Sequence, residues 1–346
     1  MCLSNFKNNA EDMKILCDSA AMVSAYYDLG EGKADDHQRT ELLDVCYCAD
    51  KSYRLPLGVA IISLIKHNPT AFIHLFVSTD TPDEESVFYD RIIKEYNARG
   101  RLYVINNETV NSLPGVSAGT KHISPATYYR FLAAEYLCES GVERVLYIDG
   151  DTICIGSLHE LNEFYSNTDK PLLAVADNIE SLPKNHFNNI RFEGSKYFNA
   201  GVMLINLTEY KKRKILSQAF FMLMSYPERF FYNDQDVLNI LYCENVFWLP
   251  ERFNYFQVKD RDKPFPQDTK IIHFISEHKP WYKWYCVRKD NIWEKYHKES
   301  ILCDIIDNRA PNNPSQYRLL AKKQYRDGEY VDSFCSYFSY IKNKLF

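Results

Sequence analysis

The stretch Glu143-Arg144-Val145-Leu146-Tyr147-Ile148-Asp149-Gly150-Asp151 indicates how this chain folds. It has the pattern of an apolar β-strand that runs directly into two aspartates spaced i, i+2. Alternate residues of an extended chain point to the same side, so Asp149 and Asp151 are expected to converge at the end of a buried strand. No lysine or arginine stands between them, which favours a divalent cation such as Mg²⁺ or Mn²⁺ as their partner. A solvated turn that carries two acids is the alternative reading of this short motif.

Strands and helices alternate along the chain on both sides of this stretch. Short apolar runs predict strands over residues 43–48, 73–78, 102–105, 144–148, 171–176 and 201–206. Longer segments predict helices over residues 57–66, 82–99, 127–138, 210–226 and 285–310. This alternation is typical of an α/β fold with a mostly parallel sheet that helices cover on both faces. Ligands bind such sheets at the carboxyl ends of the strands, where Asp149 and Asp151 are expected.

Composition restricts the class of protein. With 346 residues, of which 46% are hydrophobic, the chain is long enough for a sizeable core. Its formal net charge of −5 argues against a nucleic-acid binder. Cys46 and Cys48 lie in an apolar run and are expected to be buried thiols of a reducing compartment. The N-terminus lacks an apolar secretion segment and no run has the roughly 18 apolar residues of a membrane span, so a cytoplasmic location is expected.

The C-terminal tail, residues 311–346, has the pattern of a separate helical appendage. An apolar stripe on one helix face is formed by Tyr330, Phe334, Phe338, Ile341 and Leu345, which are spaced 4, 4, 3 and 4. Lysines flank the stripe at positions 322, 323, 342 and 344, whereas acids at 327, 329 and 332 oppose their charge. We therefore expect salt-sensitive, peripheral binding to a membrane interface. The alternative is that the stripe packs on the rest of the protein.

Six segments, in this order, resemble glycosyltransferase family 8, and in particular its bacterial lipopolysaccharide α-galactosyl- and α-glucosyltransferases. They are CADKSY (48–53), ISPATYYR (123–130), LYIDGD (146–151), YFNAGVMLIN (197–206), NDQD (233–236) and HFISEHKPW (273–281). The resemblance covers roughly residues 44–284. It implies a GT-A fold, in which a nucleotide-sugar-binding sheet is flanked by helices. We accordingly expect an N-terminal extension (1–43), a catalytic domain (44–284) and a helical C-terminal region (285–346).

The resemblance also implies a metal site and a diphosphate site. Asp149, Gly150 and Asp151 match the family's Asp-X-Asp motif, which binds Mn²⁺ or Mg²⁺, and His273 matches its third metal ligand. Without the resemblance, His273 has the pattern of a core histidine after an apolar run. Lys279 matches the family's diphosphate-binding lysine, although Ser276 stands in place of a glycine between the two.

Four residues after the first strand match the family's uridine pocket: Ala49, Asp50, Ser52 and Tyr53. The resemblance implies that Tyr53 stacks on the uracil and that Asp50 accepts a hydrogen bond from it. A helix N-cap is the alternative role for Asp50. Arg130 matches an arginine that contacts the sugar or phosphate, with a surface salt bridge as its alternative role.

The resemblance also implies the sugar side of the site. The positions that hold the donor hexose are matched by Asp177, Asn199, Ala200 and Gly201. Asp234 and Gln235 match the dipeptide beneath the anomeric carbon, and family 8 enzymes retain the anomeric configuration. An amide is a poor nucleophile, so Gln235 favours a front-face mechanism, with Asp234 as the second candidate for nucleophile or sugar clamp.

The resemblance thus predicts a retaining hexosyltransferase that uses UDP-glucose or UDP-galactose and a lipid-linked lipopolysaccharide core acceptor, at the cytoplasmic face of the inner membrane. A glycogenin-like protein that glucosylates its own tyrosine is one alternative, and a glycosyltransferase that acts on another glycan acceptor is a second. A nucleotide-sugar-binding scaffold without activity is another, which the full set of Asp149, Asp151, Gln235, His273 and Lys279 argues against. The sequence leaves the donor hexose, the acceptor sugar and the linkage open.

Overall fold

Two sheets organise the computed structural model, which describes residues 18–30, 43–116, 124–178, 182–257, 264–275, 279–285 and 291–345. The strands are β1 (Val23–Leu29), β2 (Asp44–Asp50), β3 (Phe72–Ser78), β4 (Arg99–Ile105), β5 (Arg144–Ile148), β6 (Thr152–Cys154), β7 (Leu172–Ala176), β8 (Phe198–Asn206), β9 (Val246–Trp248), β10 (Tyr255–Phe256) and β11 (Ile271–His273). The large sheet has the order β1-β4-β3-β2-β5-β8-β7-β9, and the small sheet has the order β10-β11-β6.

The centre of the large sheet is parallel, as the alternation of strands and helices predicted. Strands β4, β3, β2 and β5 run in the same direction, and β7 is parallel to β9. Strand β8 is antiparallel to both of its neighbours, β5 and β7. Strand β1 pairs antiparallel with β4 at the edge. The sheet therefore begins before residue 44, with a strand that the sequence analysis did not predict within residues 1–43.

Helices cover both faces of the large sheet. The helices of the described residues are α1 (Ser19–Met22), α2 (Arg54–His67), α3 (Pro82–Glu95), α4 (Asn107–Asn111), α5 (Tyr129–Glu139), α6 (Glu160–Ser166), α7 (His186–Ile190), α8 (Leu207–Lys212), α9 (Ile215–Ser225), α10 (Asp234–Tyr242), α11 (Ile292–Lys298), α12 (Pro314–Arg326) and α13 (Tyr330–Leu345). Helices α2 and α3 pack on one face, and α5, α8, α9 and α10 pack on the other. The α/β class and the helical C-terminal region are as predicted.

Strand β2 shows why its sequence is apolar from Val45 to Ala49. Val45, Tyr47 and Ala49 belong to the hydrophobic core on one face, whereas Cys46 and Cys48 belong to the core on the other. A strand that helices cover on both faces buries all its side chains, and this produces a continuous apolar run. Cys46 and Cys48 are buried and free, as expected from their position in this run.

Three predicted helices were too long. The helix predicted over 82–99 ends at Glu95, because Asn97 adopts a left-handed φ of 49° and β4 begins at Arg99. The helix predicted over 210–226 is two helices, α8 and α9, separated where Lys214 has a φ of 53°. Of the predicted helix 285–310, residues 286–290 lie outside the described residues, and the remainder contains only the short α11.

Chain direction brings several segment ends to one edge of the large sheet. The carboxyl ends of β2, β5 and β7 lie at this edge, together with the start of the antiparallel β8. The small sheet adds β11, whose His273 pairs with Thr152 at the start of β6. The backbone N–H of Phe274 donates to the Asp151 carbonyl over 3.0 Å. The topology therefore delivers His273 to the aspartates that follow β5.

The C-terminal helices α12 and α13 form a hairpin. Ser333 Oγ donates to the Ala321 carbonyl over 2.7 Å, and Ser336 Oγ donates to Gln324 Oε1 over 2.7 Å. Ala321 and Ser333 are buried where the two helices meet. Across the described ranges, no helix combines the length and the apolar character that a membrane crossing requires.

Candidate active site

A cavity of about 450 Å³ opens at the edge of the sheet where these segment ends meet. Every residue that the sequence analysis proposed for the site lines it: Ala49, Asp50, Ser52, Tyr53, Arg130, Asp149, Gly150, Asp151, Asp177, Asn199, Ala200, Gly201, Asp234, Gln235, His273 and Lys279. These residues come from segments that lie up to 230 positions apart in the chain, so their convergence is a property of the fold. Ser276 lies outside the described residues.

Asp149, Asp151 and His273 bring three candidate metal-ligating atoms together. Their ligand atoms all lie within 4.8 Å of one another. His273 Nε2 lies 3.2 Å from Asp151 Oδ1 and 3.9 Å from Asp149 Oδ2. Two carboxylates and one imidazole form a donor set that suits Mn²⁺ or Mg²⁺, so these residues fit the ion that the sequence analysis predicted.

Protein cations hold the remaining oxygen of each aspartate. Arg130 Nη2 donates to Asp149 Oδ1 over 2.9 Å, and Tyr147 donates to the same oxygen over 2.6 Å. Lys279 Nζ donates to Asp151 Oδ2 over 2.6 Å. No lysine or arginine lies between the two aspartates in the sequence, but the fold brings Arg130 and Lys279 to them from distant segments. Each carboxylate keeps its other oxygen directed towards His273.

The charge of Asp151 is stabilised by these neighbours. Burial by itself would raise its pKa, but the Lys279 ammonium and the His273 imidazole outweigh burial and hold the pKa of Asp151 well below its usual range. Asp151 is therefore a carboxylate at any physiological pH. Lys279 also donates to the Phe274 carbonyl over 2.7 Å, which fixes its ammonium beside Asp151.

Asn254 orients the ring of His273. The hydrogen bond between His273 Nδ1 and Asn254 Oδ1 is 3.0 Å long, and Asn254 Nδ2 donates to Asn199 Oδ1 over 3.0 Å. Because the amide N–H₂ of Asn254 is used by Asn199, its oxygen accepts a proton from Nδ1 of the imidazole. With a proton on Nδ1, Nε2 is the nitrogen that faces the aspartates and can bind a metal ion, which is the arrangement a metal ligand requires. No pattern in the sequence marks Asn254, which stands alone among aromatic residues.

Gly201 leaves the space that the imidazole occupies. A Cβ at this position would collide with His273 Cε1 and would lie 2.8 Å from Asp149 Oδ2. The backbone carbonyl of Gly201 accepts from the Asp149 N–H over 2.8 Å. A glycine is thus required at this position of β8 because the side chains of His273 and Asp149 approach the backbone closely. Its φ is not in the left-handed region, so backbone conformation is not the reason.

Asp177, Asn199 and Gln235 form a polar network on the cavity floor. Gln235 Nε2 donates to Asp177 Oδ2 over 2.9 Å, and the Ala200 N–H donates to Gln235 Oε1 over 3.0 Å. Asn199 Nδ2 lies 3.3 Å from both Asp177 Oδ2 and Gln235 Oε1. Hydrogen bonds at each end thus fix the Gln235 amide in one orientation.

Asp234 and Arg130 form a buried ion pair beside this network. Arg130 Nε lies 3.1 Å from Asp234 Oδ2, and Thr127 Oγ1 donates to Asp234 Oδ1 over 2.5 Å. Burial raises the pKa of Asp234 to about 6, although Arg130 and Thr127 oppose this rise. Arg130 is buried, so its alternative assignment as a surface salt bridge is wrong.

The turn after β2 forms the opposite end of the cavity. Asp50 Oδ1 accepts from the Ser52 N–H over 2.9 Å, so this residue does cap the short 3₁₀ helix Lys51–Tyr53. The Tyr53 ring packs edge-on against Trp281 with centroids 5.5 Å apart. Gly150 lies close to the Tyr53 ring, where an added Cβ would be 3.3 Å from Cδ1. The nucleobase roles of these residues stay predictions.

Comparison with known proteins identifies the family. The profile of glycosyl transferase family 8 matches residues 44–285, which is more than half of the chain. The protein therefore belongs to glycosyl transferase family 8.

Individual relatives extend the similarity beyond the profile. The chain is 29% identical over 88% of its length to lipopolysaccharide glucosyltransferase WaaO of Escherichia coli, of which it covers 91%. It is 30% identical over 89% of its length to a lipopolysaccharide 1,3-galactosyltransferase of Salmonella typhimurium, of which it covers 93%. Among solved structures, the galactosyltransferase LgtC superposes with a TM-score of 0.61 at 23% identity, covering 78% of this chain and 98% of LgtC. This last likeness confirms the GT-A fold.

Proposed function

We propose that this protein is a retaining hexosyltransferase that moves glucose or galactose from a UDP-sugar to a lipopolysaccharide core oligosaccharide, with Mn²⁺ or Mg²⁺ as cofactor. Its two relatives named above are a glucosyltransferase and a galactosyltransferase of lipopolysaccharide, and they match this chain over nearly all of its length. Their different donor sugars are the reason that we leave the hexose open between these two.

The observation that carries this proposal is the convergence of Asp149 Oδ2, Asp151 Oδ1 and His273 Nε2 beside Lys279 in one cavity. Breaking the bond between an anomeric carbon and a diphosphate leaves negative charge on the departing group. When bound, the divalent ion neutralises that charge as it develops. Asp149, Asp151 and His273 would hold the ion, and the ammonium of Lys279 would contact the diphosphate.

The chemistry of the cavity floor bears on how the configuration would be retained. Gln235 is a neutral amide whose oxygen already accepts from Ala200, and both carboxylate oxygens of Asp234 accept from Thr127 and Arg130. Neither group is a strong free nucleophile. We therefore favour a front-face substitution. The bond from the anomeric carbon to the diphosphate oxygen breaks, the acceptor oxygen bonds on the same face, and its proton passes to the departing diphosphate.

The proposed acceptor is carried on a lipid, and the C-terminal hairpin supports this part of the proposal. Exposed fractions along the stripe are 64% for Tyr330, 73% for Phe334 and 62% for Phe338. The stripe is thus mostly exposed, whereas its alternative role required burial against the rest of the described protein. We propose that it binds peripherally to the cytoplasmic face of the inner membrane.

One assay tests the proposed function. The protein is incubated with UDP-glucose or UDP-galactose and Mn²⁺, with and without a lipopolysaccharide core oligosaccharide. We expect UDP release and a defined linkage in the product only when acceptor is present. A mass gain on the protein itself would instead indicate self-glycosylation, and no UDP release with any donor would indicate a scaffold without activity.

A further inference from the structure

Arg309 lines the cavity although it lies outside the segment that resembles the family. It belongs to the irregular segment between α11 and α12, beyond residue 285 where the family match ends. No pattern in the sequence marks it, and the function proposed above does not use it.

Two contacts hold the Arg309 guanidinium in a defined place. Its Nε donates to both carboxylate oxygens of Asp307 over 2.9 Å, and its Nη2 also donates to this carboxylate. The guanidinium lies over the Tyr282 ring at 4.7 Å from the centroid. The Tyr282 N–H donates to the Lys279 carbonyl over 3.1 Å. Arg309 therefore packs on the same turn that presents Lys279.

Arg309 is the most exposed of the described cations that line the cavity. The side chain of Arg130 is 7% exposed and that of Lys279 is 9% exposed, and both already bind aspartates and backbone carbonyls. The side chain of Arg309 is 37% exposed. A guanidinium has five N–H donors, more than the Asp307 carboxylate and the Tyr282 hydroxyl together take up, so Arg309 has donors for a ligand.

The acidic lining of the cavity means that an anionic ligand needs a cationic residue to bind it. Five aspartates line the cavity: Asp50, Asp149, Asp151, Asp177 and Asp234. An anionic ligand that enters beside them needs N–H donors on a cation, and a guanidinium that keeps unused N–H groups forms paired hydrogen bonds with phosphate oxygens. We propose that Arg309 is a donor-binding residue that contacts the diphosphate of the nucleotide sugar. This assignment rests on the proposed function, because it presumes a nucleoside diphosphate donor.

The test measures binding of UDP and UMP to the full-length protein with Mn²⁺ by calorimetry. Arg309→Gln is expected to bind UDP about tenfold more weakly, because it loses a charge-assisted hydrogen bond, and to bind UMP with a smaller loss. Arg309→Lys retains the charge but not the paired geometry, and an intermediate loss is expected. Arg101→Gln is the matched control. Arg101 likewise pairs with an aspartate, Asp28, and lies over a tyrosine ring at 4.9 Å, but it does not line the cavity.

The outcomes separate this assignment from the proposed function. Unchanged UDP binding by Arg309→Gln, with wild-type binding intact, would overturn the assignment alone. An equal loss for UDP and UMP would also overturn it, since the contact would then lie on the nucleoside monophosphate part. Wild-type protein that binds neither nucleotide would overturn the proposed function together with this assignment. Melting curves of the three variants without ligand show whether Arg309→Gln folds, and Arg309→Lys gives the same test if it does not.

Discussion

At the scale of single residues, the site depends on side chains whose two polar ends have different partners. Each of Asp149 and Asp151 has one oxygen on a protein cation and one directed to His273. His273 has one nitrogen on Asn254 and one directed to the aspartates. Such groups are oriented before any ligand binds, which lowers the cost of assembling the site.

Asp149→Asn and Asp151→Asn are each expected to lower turnover by about a thousandfold or more, because each removes a charged ligand and with it several kcal/mol of charge stabilisation. Turnover is measured with UDP-hexose and acceptor across a Mn²⁺ titration. EDTA should abolish wild-type activity and added Mn²⁺ should restore it. Asp28→Asn, which changes a half-exposed aspartate on β1, is the control. Full activity in EDTA would refute the metal assignment.

Asn254→Ala is expected to weaken Mn²⁺ binding by about 10- to 100-fold, because His273 loses the acceptor that fixes its tautomer. Asn254→Asp keeps an acceptor for Nδ1 and should retain more of the affinity. The measurement is Mn²⁺ affinity by electron paramagnetic resonance or calorimetry, which is independent of turnover. Equal affinities of the alanine variant and the wild type would mean that His273 is not a ligand or needs no orientation.

The raised pKa of Asp234 predicts a pH-dependent stability difference. Its folded pKa of about 6 exceeds the ordinary 3.8, so the stabilisation it contributes is present below about pH 4 and is lost as pH rises through 6. This difference between the two pKa values corresponds to about 3 kcal/mol in the free energy of unfolding. Asp234→Asn resembles the protonated form. The free energy of unfolding of this variant, relative to that of the wild type, should therefore increase between pH 4 and pH 8. Urea unfolding at several pH values measures this. If this relative free energy of unfolding instead decreased with pH, the ion pair with Arg130 would outweigh the cost of burying the Asp234 charge.

At the scale of elements, short and irregular segments place the functional groups. The start of α10 carries Asp234 and Gln235, and it follows Asn233, which has a φ of 48°. Asp236 then accepts from His186 over 2.7 Å and from Tyr197 over 2.5 Å, which anchors this first turn from behind. A non-glycine residue in the left-handed region at this point is backbone strain beside the site, where such strain commonly occurs.

Truncation after Ala310 is expected to abolish association with anionic lipid vesicles and to leave turnover on a soluble short acceptor within about twofold of wild type. The hairpin packs on itself, and the truncated chain keeps Arg309 and the cavity. Vesicle co-sedimentation at low and high salt measures the association. In the full-length chain, Phe334→Ser with Phe338→Ser should weaken association, whereas Phe221→Ser, an equally exposed phenylalanine on α9, should not. An insoluble truncated protein would mean that the hairpin belongs to the core.

At the scale of the whole molecule, the cavity joins the two sheets and the C-terminal segment. Strands β2, β5, β7 and β8 supply one wall, and β11 with the turn after it supplies another. The aromatic contacts of Tyr53 with Trp281, and of Trp281 with Trp293 on α11, connect the cavity to the segment that precedes the hairpin. A ligand that bridges these parts should stabilise the whole fold.

UDP with Mn²⁺ is expected to raise the free energy of unfolding by about 2.7 kcal/mol at a free concentration 100-fold above its dissociation constant. GDP and CMP should raise it less at equal concentration. Tyr53→Ala should reduce the UDP effect, and Tyr53→Phe should retain most of it because the ring remains. Chemical unfolding with and without nucleotide is the measurement. Equal protection by GDP would mean that the nucleobase pocket is misassigned.

Local sequence determined much of this protein. Short apolar runs predicted the parallel strands, because a strand that is buried on both faces is apolar at nearly every position. The carboxyl end of β5 could be located from residues 143–151 alone, and six segments were sufficient to assign the family and to name many of the residues that line the cavity. The boundaries of α3 and the break between α8 and α9 were missed, since left-handed turns at Asn97 and Lys214 depend on how the following segments pack.

Only the tertiary structure decided which charges meet. The pairing of Arg130 with Asp149 and Asp234, and of Lys279 with Asp151, joins residues up to 128 positions apart, and no local pattern encodes such a pairing. Asn254 and Arg309 carry no sequence signal because a single polar residue in an aromatic or irregular segment acquires a role only from its neighbours in space. Sequence specifies elements through short-range periodicity, whereas a site is specified by long-range packing that brings the ends of those elements together.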